Sequence, residues 1–75
     1  MFRVMVQHYG KHAEKMHETD SEQNALDFKR DQCEVLKGYH KRTGILPDGT
    51  FVVFGSYQGM DDVMKTRIWI QKVTK

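Results

Sequence analysis

Four histidines, His8, His12, His17 and His40, are the side chains most suited to holding a metal ion, and Glu14 and Glu18 stand close to three of them. His8 and His12 share a face on either a strand or a helix. A hairpin turn between them instead puts them on opposite strands, where they do not face each other. Their spacing matches no zinc signature, and solvated surface histidines are the plainer reading. Cys33, the only cysteine, is a candidate nucleophile if a histidine approaches it from elsewhere. It falls on the edge of an apolar helical stripe, however, where a free cysteine behaves as a small hydrophobe.

Asp61 and Asp62 are adjacent acids of the kind that bind a cation or share acid–base work. Before a strand, in a glycine-containing loop, such a pair reads as a solvated turn. Gly55 and Gly59 have neither the spacing nor the Lys-Ser/Thr ending of a phosphate-binding loop. These patterns predict no catalytic residue, no cofactor, no metal and no small-molecule substrate. The densest basic cluster is Lys37, His40, Lys41 and Arg42. It is a candidate contact for phosphate, nucleic acid or an acidic partner, set against the ordinary role of basic residues in stabilising a helix C-terminus.

Composition narrows the class. A chain of 75 residues is expected to form one small domain over residues 1–75, close to the lower limit for a self-sufficient core. One cysteine excludes an internal disulfide framework, which favours a reducing, cytoplasmic setting. The first ten residues alternate apolar and polar types, unlike the apolar core of a signal peptide, and no run reaches the length of a membrane span. Charge is unevenly spread. Residues 1–34 carry five Lys/Arg against seven Asp/Glu, and residues 35–75 carry seven against three. The basic second half admits an anionic partner but is far from the dense stripe of an obligate nucleic-acid binder.

The elements that must position these residues follow from periodicity. Phe2, Val4 and Val6 share one face by the period of two, which predicts a strand over 2–9. Gly10-Lys11 then reads as a type II′ hairpin turn, and residues 12–18 as a polar returning strand, with a helical turn as the competing reading. A direct register sets Arg3 opposite Glu18 and Met5 opposite Met16, and aims Lys15 and His17 at the core side. Thr19, Asp20 and Ser21 are N-cap candidates, with capping-box spacing from Thr19 to Glu22. The helix is predicted near 21–37, on a stripe of Ala25, Phe28, Gln32, Val35, Leu36 and Tyr39 flanked by Leu26 and Cys33. Gly38 is a natural residue to end it. Residues 39–49 read as a loop, 50–54 as a well-covered strand and 65–73 as the last strand, with two turn signals between 56 and 62.

The expected fold class is therefore α+β: ββαββ, one helix packed on a four-stranded mixed sheet. This order of elements is similar to that of the small β-grasp domains, in which one helix crosses the sheet and the first and last strands lie parallel at its centre. The resemblance rests on element order alone and implies no site.

One helix covers one face of such a sheet. If Ile68 and Ile70 face the helix, Trp69 faces away, as Met5 and Tyr9 do in the first strand. In the 50–54 strand either Phe51 and Val53 or Val52 and Phe54 join them. The second face then carries Met5, Tyr9, one Phe, one Val and Trp69, bordered by Arg3 and Arg67. A patch of that size seldom stays bare on a monomer. Three covers compete: a loop of the chain itself, a protein (a partner or a second copy, making a homodimer), and single-stranded nucleic acid stacked on the aromatics. The expected function is a small non-enzymatic binding module, an accessory or inhibitor protein, whose partner contacts are Met5, Phe54, Arg67 and Trp69. Nucleic-acid binding through the same face, with Lys37, His40, Lys41 and Arg42, is the alternative.

Overall fold

The computed structural model describes residues 1–74. It has the order ββαβββ: β1 Phe2–His8, β2 Glu14–Thr19, α1 Glu22–Tyr39, β3 Thr43–Ile45, β4 Phe51–Tyr57 and β5 Met60–Lys72. The five strands form one sheet in the order β2-β1-β5-β4-β3, and every neighbouring pair is antiparallel. The α+β class with one helix on a sheet holds. The four-stranded mixed sheet does not: β1 and β5 do lie side by side at its centre, but antiparallel. The extra strand explains the reversal. β3 adds one change of direction after the helix, so the chain enters β5 against the direction of β1.

β3 lies within the stretch expected to be a loop. Its signal is the segment Leu46-Pro-Asp-Gly-Thr50, a hairpin turn in which proline sets φ and glycine supplies a positive one. Gly49 has φ 91°, its N–H donates to the Leu46 carbonyl at 2.9 Å, and Thr50 N–H donates to Asp48 Oδ1 at 2.9 Å. β5 is also longer than expected. Gln58 and Gly59, with φ of 47° and 80°, make the tight two-residue turn that joins β4 to it, so residues 60–64 belong to the strand.

The first hairpin differs from the direct register at one point. Arg3 pairs with Glu18 and Val4 with His17, but Met5 pairs with Lys15, so Met16 is an extra residue. This β-bulge removes the cost foreseen for Lys15, which it returns to the face of Met5. Met16 packs instead against the core. The turn also differs: Lys11 N–H donates to the His8 carbonyl at 2.9 Å, and Gly10, at φ 76°, occupies the third position rather than the second.

The helix starts where Ser21 caps it, its hydroxyl accepting the Asn24 N–H at 3.1 Å. It runs through Gly38 to Tyr39 and ends at His40, whose N–H donates to the Leu36 carbonyl. Gly38 therefore does not terminate it. The buried stripe is rotated from the expected one. Ala25 and Cys33 are buried, and Phe28 and Leu36 are half-buried, whereas Val35 is exposed and Tyr39 is 83% exposed. The helix packs over β2, β1 and β5, so its Cys33 side turns inward. The core comprises Val4, Val6, Ala25, Cys33, Phe51, Val53 and Ile68, which places Phe51 and Val53 on the helix side.

Candidate functional site

The remaining sheet face is built by strand alternation. Met5 is the cross-strand partner of Trp69, Gln7 of Arg67, and Arg67 in turn of Val52, so these five side chains share the face away from the helix. Phe54 joins them. A Cβ on Gly44 would lie 3.5 Å from the Phe54 ring and 3.8 Å from Val52 Cγ2. The open alternative in the 50–54 strand is thus decided in favour of Val52 and Phe54. Met5, Phe54 and Trp69 are half-buried, and Arg67 and Met64 are exposed. Val52 is 1% exposed although the helix lies on the other side, so its larger neighbours on the face hide it. The 46–50 turn reaches the rim, where Leu46, Asp48 and Thr50 border a concavity with Trp69.

Ion pairs frame this face. Arg3 Nε donates to Glu18 Oε1 at 2.6 Å, and Lys15 Nζ stands 3.8 Å from the same oxygen. The Arg3 guanidinium holds the Glu18 carboxyl below the usual carboxylate range, chiefly through this hydrogen bond. The Asp48 carboxyl is likewise lowered, chiefly by the Thr50 N–H it accepts. Arg42 pairs with Asp62 and lies over the Phe54 ring, 5.9 Å from its centroid. Arg67 Nη2 donates to Gln7 Oε1 at 2.6 Å.

The structure sets Met5, Phe54, Arg67 and Trp69 on one face, with Met5 beside Trp69 and Phe54 beside Met64 farther along β5, but disperses the basic cluster. Lys37 is on the helix, 3.5 Å from Glu34, beside a groove floored by Cys33 and Phe51. His40 caps the helix, Lys41 is exposed, and only Arg42 reaches the sheet face. Sequence reasoning missed Met64, Gln7 and Leu46 on this face, whereas Val52 was one of its two alternatives. The length of β5 and the 46–50 hairpin turn, had they been read, place Met64 and Leu46.

Two of the histidines, His8 and His17, and both acids, Asp61 and Asp62, have local partners. His8 Nδ1 is 3.1 Å from Thr66 Oγ1, and His17 Nε2 is 2.7 Å from Asn24 Oδ1 while its ring stacks on Phe28 at 4.4 Å. Asp61 accepts the Ser56 hydroxyl at 3.0 Å. Among the described residues no group of three or more His, Cys, Asp or Glu side chains converges. Burial raises the Cys33 thiol above its ordinary range, which suppresses the thiolate a nucleophile needs.

The chain matches no family model, no curated protein and no solved structure. No described helix is long and apolar enough to cross a membrane.

Proposed function

We propose that this chain is a small non-enzymatic binding module that acts through the second face of its sheet, by contact with a protein. The observation that carries this reading is the grouping of Met5, Phe54, Met64 and Trp69 on a face over which no helix lies. Aromatic residues, methionine and arginine are the types enriched at interface cores. The face is also pre-formed, since its side chains stand on the central strands of a hydrogen-bonded sheet. A cytoplasmic setting and an accessory or inhibitory role belong to the same proposal, which draws on a single, buried, unbridged cysteine and on the lack of converging metal-ligating side chains among the described residues.

The nucleic-acid reading draws on one feature, aromatic Trp69 and Phe54 close to Arg3, Arg42 and Arg67. Arg3 and Arg42 are already engaged by Glu18 and Asp62, which leaves few free cations for a phosphate backbone.

The test is the solution mass across micromolar concentrations, with emission of Trp69, the only tryptophan, followed alongside. A concentration-dependent dimer with blue-shifted emission makes the face a self-association surface. A monomer whose Trp69 is quenched by acrylamide leaves the face available to another protein. A monomer whose Trp69 resists quenching overturns the proposal. Tight oligonucleotide binding that falls steeply with salt moves it to the nucleic-acid reading.

A further inference from the structure

Arg67 is distinct among the cations of this face. Arg3, Lys15 and Arg42 each stand within ion-pair distance of Glu18 or Asp62, whereas no carboxylate among the described residues does so for Arg67. It is nonetheless held. Its Nη2 donates to Gln7 Oε1 at 2.6 Å, and Gln7 Nε2 donates in turn to the Lys11 carbonyl at 3.1 Å. Both ends of the Gln7 amide are thereby occupied, and the guanidinium is oriented by a neutral group that leaves its charge uncompensated. Its remaining N–H donors are open to solvent, since the residue is exposed.

Arg67 also separates two concavities. One, of about 360 Å³, is bordered by Tyr9, Gly10 and Met64. The other, of about 240 Å³, is bordered by Leu46, Thr50 and Trp69. A fixed guanidinium between two partly apolar hollows reads a carboxylate: the planar fork accepts both oxygens, and apolar surroundings strengthen the pair.

We propose that Arg67 is the recognition residue for an Asp or Glu side chain of a partner protein, flanked in that partner by apolar side chains that enter the two concavities. This inference rests on the binding-module reading and names what the module recognises. Charge selects the occupant. Arg3 and Lys15 are set against Glu18 and Arg42 against Asp62, so the cation that this face offers outside its own ion pairs is Arg67, which suits a single acid rather than a run of phosphates. A second copy fits poorly, because a two-fold pairing centred on the face sets Arg67 against Arg67.

The experiment is selection of random dodecapeptides displayed on phage by the wild-type protein, followed by titration calorimetry with an enriched synthetic peptide. The expected sequences share one Asp or Glu with apolar residues on both sides. Replacing that acid by its amide should weaken binding about tenfold or more. Arg67→Gln should produce a similar loss, and combining the two changes should cost little beyond either alone. Gln7→Glu, which supplies an internal carboxylate to Arg67, should also abolish the preference. Unchanged thermal melts of the two variants separate loss of recognition from loss of fold.

Enriched peptides that lack an acid yet lose binding with Trp69→Ala overturn the role of Arg67 and leave the binding module standing. Peptides that bind Trp69→Ala as well as wild type overturn both readings. Failure to enrich any peptide overturns the proposal, as does salt-sensitive binding of a single-stranded dodecanucleotide that depends on Arg67.

Discussion

Lys15 faces Met5 across the first hairpin because Met16, between Lys15 and His17, is an extra residue in the ladder. The bulge sends Met16 to the core and keeps the lysine on the open face beside Glu18. Without it, Lys15 turns inward and Met16 outward. Met16→Ala should therefore cost about 1–2 kcal/mol, a partial version of a core truncation, and Lys15→Ala should stay within about 0.5 kcal/mol of wild type. Urea unfolding of the two variants checks this, and the reverse ranking returns the hairpin to its direct register.

Val52 carries a second prediction. It belongs to the face opposite the helix yet is as hidden as Val53 in the core. Val52→Ala should cost about 2 kcal/mol, comparable with Val53→Ala. A near-neutral effect in thermal unfolding would show that the neighbours on the open face do not cover it in solution.

The Arg3–Glu18 pair predicts an acid-dependent stability. The Glu18 carboxyl is lowered in the folded protein, mainly by the Arg3 hydrogen bond, so the unfolded chain binds this proton more readily. Its contribution is present above the ordinary carboxylate range and is lost as the pH falls through the folded value. The difference in Tm between wild type and Glu18→Gln should be present at pH 7 and shrink as the pH is taken below the ordinary carboxylate range. A difference constant with pH removes the pair from the account.

Cys33 gives the opposite sign. Burial raises its thiol, which favours the protonated form in the folded state. Stability from this source is present below the ordinary thiol range and is lost as the pH rises through the folded value. Reaction with a disulfide reagent at pH 8 should be slow in the native protein and should accelerate in urea as the helix leaves the sheet. Equal rates in the two conditions place Cys33 outside the core.

Local pattern determined what neighbouring residues settle among themselves. The alternation in Phe2–Val6 and Ile68–Ile70 put Met5 and Trp69 on one face before any strand order was known. The Arg3–Glu18 pairing and a cap at the start of the helix were legible in the same way. Strand direction and count were not, because they depend on whether three residues, Thr43–Ile45, gain a partner in β4. A run that short has no periodicity of its own, and its strand exists only through the turn at 46–50 and the edge it completes. The buried side of the helix was decided in the same manner. Val35 and Tyr39 fit an apolar stripe as well as Cys33 does, and packing across β2, β1 and β5 chose Cys33. The bulge at Met16 and the bond from Arg67 to Gln7 join residues that sequence alone leaves unpaired. Each is fixed by the register of strands distant in the chain, and register is a property of the assembled sheet.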